Sequence, residues 1–271
     1  MPRSRSWLDS ADEWESFSAA IHDRTGIDLN SYQPVQMRRR LRGLLDHAKV
    51  ERLSDYVRAL DREPARLRHF RSFVGIHVSE FFRSPDRFEY LGQVVLRQLL
   101  QERPRLRIWS VGCSYGAEAY SLAVLLAELA PDRRHYILAT DVDDSALERA
   151  QAGDGFSAAD IRHVPTALRH RHFLHGGRAV RPGLRAQVTF RRHDVLQDEP
   201  EDDFDLIVCR NVLMYFTADA KVRVARLLYD ALRMGGFLFT ASGEALEQLP
   251  AAGFRPASVG FYRKEGVHAG S

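Results

Sequence analysis

The sequence is short of several features that would commit it to common protein classes. Its 271 residues hold two cysteines, Cys113 and Cys209, too few for a disulfide framework and suited to a reducing compartment. Lysine is nearly missing: Lys49, Lys221 and Lys264 stand against a background of arginine. No apolar run approaches the ~18 residues needed to span a bilayer. The polar stretch from Met1 to Asp12 has none of the apolar core of a secretory signal. A soluble, cytoplasmic chain without membrane insertion is expected. No internal repeat is visible, and 45% hydrophobic with 28% charged residues is unlike disordered or collagen-like chains.

A large net charge is also missing. The formal value is +3, which argues against a dedicated nucleic-acid binder. The near-balance hides blocks of one sign. Residues 34–71 carry eleven basic and five acidic residues, residues 161–193 eight arginines and no acid, and residues 194–205 seven acids and no base.

What is present falls into two patterns. From about residue 12 to 75 the apolar residues recur at helical spacing. Trp14, Phe17 and Ile21 form one stripe that Gly26 would stop, and Pro34 suits the first turn of a second helix. The apolar face of that helix is Met37, Leu41, Leu44, Leu45 and Ala48. At 100° per residue Arg39 and Arg42 lie opposite, with Arg38 and Lys49 on one flank and Arg40 on the other. Leu53, Tyr56, Val57 and Leu60, then Leu67, Phe70, Phe73 and Val74, continue the helical period. Further on, short apolar runs alternate with helical ones. Strands are expected at Arg107–Val111, Tyr136–Thr140, Val188–Arg191, Phe204–Cys209 and Phe237–Thr240, with helices at Tyr120–Leu129, Ser145–Ala152 and Lys221–Leu232. Such alternation implies a parallel sheet with right-handed crossovers. The stretch 161–187 breaks the alternation, and its HGGRAVRPG section reads as a small hairpin insertion.

Two nucleotide signatures are missing as well. Gly112-x-x-x-Gly116, after the first strand, matches neither the dinucleotide fingerprint nor the phosphate loop. A nucleotide-like ligand without phosphates therefore fits better than NAD or ATP, although such a turn also serves purely structural ends. Asp141 follows the second strand, where an acid can accept from ribose hydroxyls or cap a helix; Asp143 and Asp144 are alternative caps. Arg210 and Asn211 end the fourth strand, where an arginine meets a ligand cleft or pairs with an acid on a neighbouring loop. His163, His170, His172 and His175 crowd one stretch at spacings that match no structural zinc pattern, so no metal is expected.

Read in order, six segments resemble the chemotaxis receptor glutamate methyltransferases of CheR type. They are His77 to Arg83, Ser114 to Ser121, Asp141, Asp194-Val195, Cys209 to Phe216, and Gly235-Gly236 with Ser242-Gly243-Glu244. The resemblance covers roughly residues 20–265. It implies an α/β chain: a small N-terminal helical domain (1–80) and a Rossmann-like class I S-adenosylmethionine methyltransferase domain (81–271), with a small β insertion at about 170–188. His77, Ser79, Arg83, Gly112, Ser114, Gly116, Glu118, Asp141, Asp194, Val195, Arg210 and Asn211 would then hold S-adenosyl-L-methionine and its product S-adenosyl-L-homocysteine. Arg83 would face the methionine carboxylate, Asp141 the ribose and Asp194-Val195 the adenine. Arg210 and Tyr215 would orient the substrate.

The chain departs from the family pattern at His77 for Asn, Ala117 for Glu, Ala119 for Pro and Asp194-Val195 for Asn-Leu. The expected reaction is methylation of glutamate carboxylates on a chemoreceptor. A glutamate near pKa ~4.3 is already ionised at neutral pH and needs no general base. The arginine face (Arg38, Arg39, Arg42) would meet the receptor's acidic methylation helices, or be merely solvated. Tethering by a receptor C-terminal pentapeptide is not expected, because the insertion is short and basic. The rival readings are methylation of another substrate, and a regulatory module that binds the cofactor without turnover.

Overall fold

The computed structural model describes residues 10–50, 52–74, 79–241 and 248–265. The chain divides into two compact units: Met1–Ile76 with Tyr215–Lys221, and His77–Met214 with Val222–Ser271.

In the first unit, Ser10 caps helix α1 (Ala11–Thr25) by accepting from the Glu13 N–H, and Gly26 ends it at φ +76°, its N–H donating to the His22 carbonyl. That is the left-handed stop that glycine supplies without steric cost. Pro34 opens α2 (Pro34–His47), which buries Met37, Leu41, Leu44 and Leu45. Helices α3 (Leu53–Arg62) and α4 (Pro64–Val74) complete the bundle. Its core includes Phe17, Ile21, Leu41, Leu45, Tyr56 and Phe70. The segment beginning at Tyr215 is knitted into this unit by backbone pairing. The Gln33 N–H donates to the Tyr215 carbonyl (2.8 Å) and the Thr217 N–H to the Ser31 carbonyl (2.9 Å). Gln33 Nε2 donates to the Phe216 carbonyl (2.8 Å), and Tyr32 meets the Phe216 ring edge-on.

The second unit opens with α5 (Pro85–Tyr90), a π-helical stretch at Leu91–Leu96 and α6 (Arg97–Glu102). The strands and helices that follow are β1 (Arg107–Val111), α7 (Ala117–Leu129), β2 (Tyr136–Asp141), α8 (Asp144–Ala152) and α9 (Thr166–His172). Next come β3 (Phe173–Leu174), β4 (Ala179–Val180), α10 (Pro182–Arg185), β5 (Val188–Arg192) and β6 (Phe204–Cys209). The last are α11 (Ala218–Ala231), β7 (Leu232–Thr240), α12 (Gln248–Ala251), β8 (Phe254–Ser258) and β9 (Phe261–Lys264). Seven strands form one sheet in the order β5-β2-β1-β6-β7-β9-β8.

The expectation of a purely parallel sheet needs correcting. β5, β2, β1, β6 and β7 are parallel, but β9 runs antiparallel to both β7 and β8. A short turn at Val259-Gly260 joins β8 to β9, and a tight hairpin connection can only give antiparallel strands. Strand seven also starts five residues earlier than the apolar pattern indicates. The expected helix runs to Leu232, but Gly235 at φ +79° and a register shift against β6 carry residues 232–234 into the strand. The inserted hairpin is the pair β3–β4, two residues per strand, turning through His175–Gly177.

Two details fix the sheet's interior. Strand β6 is buried along its whole length, as expected of a central parallel strand covered on both faces. Its Asp205 is fully buried and accepts from the Arg107 N–H (2.8 Å) and from Arg233 Nε. Chain order reverses between β1 and β6, so the carboxyl ends of those strands form the switch point where open α/β sheets place ligands. No helix among the described residues is long and apolar enough to cross a membrane.

Candidate functional site

The β1–α7 turn is built from three left-handed residues, Gly112 (φ +68°), Ser114 (φ +51°) and Gly116 (φ +88°). Gly112 is needed for space as well as conformation: a Cβ there would sit 2.5 Å from Val212 Cγ2. The turn is tied to strand β2. The Cys113 N–H donates to the Thr140 carbonyl (2.9 Å) and the Ser114 N–H to Asp141 Oδ2 (2.8 Å). The other oxygen of Asp141 accepts from the Asp143 N–H (3.0 Å). Capping of α8 falls to Asp143, which takes the Ser145 N–H at 2.9 Å. Asp141 is therefore not the helix cap; it is a carboxylate at the end of β2, the position at which an acid can accept from ribose hydroxyls.

Beside this turn, Glu118 and Arg210 form a buried pair. Arg210 Nη1 lies 3.3 Å from Glu118 Oε2, and the Arg210 side chain is only 3% exposed. Further partners engage both groups. Ser110 Oγ donates to Glu118 Oε1 (2.9 Å), while Arg210 Nη2 donates to the Arg83 carbonyl (2.8 Å) and to Ser84 Oγ (3.1 Å). The guanidinium also stands over the rings of Phe239 (4.7 Å) and Phe88 (5.4 Å). The arginine thus pairs with an acid, Glu118, at the end of the strand that borders the switch point. Burial lifts Glu118 above the usual carboxylate range, and the charges of Arg210 and Arg83 offset that only in part. Asn211 follows at φ +60°, a conformation asparagine tolerates better than most residues.

The segment Ser79–Ser84 is held along its backbone. The Ser79 N–H donates to the Tyr115 hydroxyl (3.3 Å), which also meets the Ser79 carbonyl and Asp160 Oδ1 (2.9 Å). The Phe81 N–H donates to the Asp160 carbonyl (2.9 Å) and the Phe82 N–H to Ser121 Oγ (3.0 Å). After β5, the His193 N–H donates to the Asp141 carbonyl (3.0 Å), which brings Asp194 and Val195 to the same edge. The buried Asp194 carboxylate closes its own turn: Oδ1 accepts from the Leu196 N–H (3.0 Å) and Oδ2 from Gln197 Nε2 (3.0 Å). Burial raises its pKa.

Ser79, Arg83, Gly112, Ser114, Gly116, Glu118, Asp141, Asp194, Val195, Arg210 and Asn211 thus lie in the sheet unit, and Tyr215 in the helical unit. His77 and the Ser242-Gly243-Glu244 motif lie outside the described residues. Sequence reasoning missed Ser110, Ser84, Tyr115 and Asp160. Tyr115 stood inside a quoted motif, whereas Asp160 sits in a loop with no signal. On α2, Arg39 and Arg42 are exposed; Arg38 is half-buried, 5.2 Å over the Trp14 ring. The crowded histidines find acids that are distant in sequence: His172 Nε2 lies 2.6 Å from Glu128 and His163 Nε2 3.4 Å from Glu80. No group of three potential metal ligands occurs among the described residues.

This donor set suits S-adenosylmethionine: an acid for ribose, a glycine turn open to close approach, and an arginine and a buried glutamate for the charged amino-acid end. Comparison with known proteins agrees. Residues 12–74 match the all-alpha domain of CheR methyltransferase and residues 77–256 its SAM binding domain. A chemotaxis protein methyltransferase of Listeria monocytogenes is 36% identical over 85% of this chain and 88% of its own length. Chemotaxis protein methyltransferase 1 of Pseudomonas aeruginosa is 32% identical over 88% of this chain and 92% of its own. Among solved structures, a TehB-like SAM-dependent methyltransferase from Corynebacterium glutamicum aligns with 68% of this chain and 97% of its own at 17% identity and a TM-score of 0.39. From its helical domain to its cofactor-binding sheet, the chain belongs to the CheR family of S-adenosylmethionine-dependent methyltransferases.

Proposed function

We propose that this methyltransferase esterifies glutamate side chains on the cytoplasmic helices of a chemoreceptor. The observation that carries the reading is the state of the titratable groups around the turn. The Cys113 thiol is buried and pushed well above its ordinary value by burial and by Asp141 and Glu118. Burial and Asp160 push the Tyr115 hydroxyl up to about 12. Glu118 is engaged by Arg210 and Ser110, and Asp141 by two backbone N–H groups. Asp141 is occupied in holding the turn, Glu118 in pairing with Arg210 and Ser110, and Tyr115 in holding Ser79, and none is offered as a base. An amine nucleophile near pKa ~10.4 would need one, whereas a glutamate near ~4.3 arrives ionised.

When bound, S-adenosylmethionine supplies an electrophilic methyl to a carboxylate oxygen, giving the methyl ester and S-adenosyl-L-homocysteine with no proton transferred. The work left to the chain is orientation and exclusion of water. Asp141 holds ribose hydroxyls, the Ser79–Arg83 segment takes the methionine end, and the edge after β5 at Val195 takes the adenine. Because its Nη donors are engaged with Glu118, Arg83 and Ser84, Arg210 acts as a positioning residue that locks the end of β6. Tyr215 is the candidate contact to the incoming carboxylate. Arg39 and Arg42 are the exposed part of the arginine face that docks the acidic receptor helices. Strands of two residues in the β3–β4 hairpin offer little edge for adding a peptide strand, which supports docking without a receptor tail.

The test is transfer of a tritiated methyl group to receptor. A base-labile product confirms the glutamate ester, a base-stable product indicates another substrate, and cofactor binding without transfer indicates a regulatory module. Tyr215→Phe should lower turnover while leaving cofactor affinity intact; unchanged turnover removes Tyr215 from the site.

A further inference from the structure

Tyr115 lies within the cofactor turn yet spends its hydroxyl elsewhere. The residue is 6% exposed. A phenol has one proton to give and two lone pairs. Here it accepts the Ser79 N–H, while its proton is shared between the Ser79 carbonyl and Asp160 Oδ1. Asp160 is itself tied down, because Oδ2 accepts the Ser157 N–H (2.8 Å) and lies 3.5 Å from Arg149 Nη2. The Arg149 guanidinium covers the Tyr115 ring at 4.1 Å. The Asp160 carbonyl meanwhile takes the Phe81 N–H. Tyr115 and Asp160 thus satisfy the backbone of Ser79 and Phe81. Ser121 takes the next amide, at Phe82, and Arg210 the carbonyl of Arg83.

We propose that Tyr115 and Asp160 are positioning residues that set the Ser79–Arg83 segment for the cofactor, controlling its affinity without touching it. This rests on the assignment of Ser79 and Arg83 to the cofactor site. The geometry separates the role from packing. Tyr115→Phe removes the one hydroxyl that bonds both the N–H and the carbonyl of Ser79 while keeping the ring beneath Arg149 and against Phe156. With its pKa pushed up to about 12, the hydroxyl stays protonated throughout the neutral range, so the effect is expected to be independent of pH between 6 and 9.

The experiment uses the full chain with Tyr115→Phe, Asp160→Asn and Arg83→Ala, read by titration calorimetry with S-adenosyl-L-homocysteine and by steady-state kinetics. Tyr115→Phe should raise both the Kd and the KM for cofactor about 5- to 30-fold, the factor expected for one or two lost hydrogen bonds, with kcat within twofold of wild type. Asp160→Asn should shift the same constants in the same direction by less. A lower melting temperature with wild-type Kd would show that Tyr115 is merely structural and overturn the proposal, as would a fall in kcat at unchanged Kd. Arg83→Ala tests the underlying assignment separately: wild-type affinity in that variant removes the segment from the cofactor site. Weakened binding in Arg83→Ala beside wild-type binding in Tyr115→Phe refutes the positioning role alone.

Discussion

Replacing Glu118 by alanine and by glutamine should have very different consequences. Alanine leaves the Arg210 guanidinium, 3% exposed, without its counter-charge, and Ser110 Oγ without its acceptor. Removing one partner of a buried pair costs about 3–5 kcal/mol. The lower end applies here, because Arg210 keeps the Arg83 carbonyl, Ser84 Oγ and two aromatic faces. A cost of about 3 kcal/mol would lower the melting temperature by about 6–12 °C in a unit of this size.

Glutamine keeps the shape and an acceptor oxygen but sheds the penalty of burying a charge. Because burial outweighs the attraction of Arg210 and Arg83 and raises the Glu118 pKa, Glu118→Gln should fall within about 1 kcal/mol of wild type. The pH dependence follows in sign. Above the ordinary value of ~4.3 the unfolded chain has released a proton that the folded chain still holds. Wild-type stability therefore declines as pH rises through the window between that value and the raised one. Glu118→Gln lacks this decline and should gain on wild type across the window. Urea unfolding, followed by Trp109 fluorescence in a Trp7→Phe/Trp14→Phe background, measures both variants. Equal costs for alanine and glutamine, or a glutamine variant that loses ground as pH rises, would refute the reasoning.

Gly112→Ala should cost about 2–4 kcal/mol from the collision with Val212 and the left-handed backbone; adding Val212→Ala should recover the collision but not the backbone share, as read by thermal unfolding. Asp205→Asn should cost about 3 kcal/mol, because a fully buried acceptor of the Arg107 N–H and Arg233 Nε is replaced by a group that also donates. Both cysteines are buried and the Cys113 thiol is raised, so a thiol reagent at neutral pH should label neither at native conditions and both in urea; fast native labelling would contradict the burial. The carboxylates of Glu102, Glu201 and Asp203 are held below their ordinary range, Asp203 mainly by its hydrogen bond to Arg103 and the two glutamates by arginine partners that outweigh burial. Their stabilisation should be complete above the ordinary carboxylate range, fade as pH falls below it and be lost once pH passes the lowered folded-state values, and Asp203→Asn should flatten that acid limb.

Much of the fold was legible because local signals were strong. The stop at Gly26, the start at Pro34, the buried face of α2 and the limits of β6 follow from cap chemistry and apolar period alone. Strands β8 and β9 escaped notice because their apolar content is thin. Phe254-Arg-Pro-Ala-Ser258 buries its first residue and leaves the next three exposed at a sheet edge, which no period-2 pattern marks. The π-helical stretch at Leu91–Leu96 carries no residue signature either. In the site, Gly112, Asp141 and Arg210 were visible as residues out of place in an apolar context. Their partners were not, since Arg210 meets Glu118 across 92 positions and Tyr115 meets Asp160 across 45. Side-chain pairing at such separations is settled by the strand order, which periodicity does not encode.

The grouping of Tyr215–Lys221 with the first unit makes that unit discontinuous in sequence. The polypeptide passes from one unit to the other three times, after residues 76, 214 and 221. A single nick between residues 74 and 79 would therefore leave both fragments carrying parts of the helical unit, with Gln33 and Ser31 on one and Tyr215 and Thr217 on the other. A chimaera that borrows only residues 1–76 from a relative would inherit the arginine helix but keep the host's Tyr32-facing segment. Moving the whole helical unit between relatives therefore requires two grafts, one at each stretch of the chain.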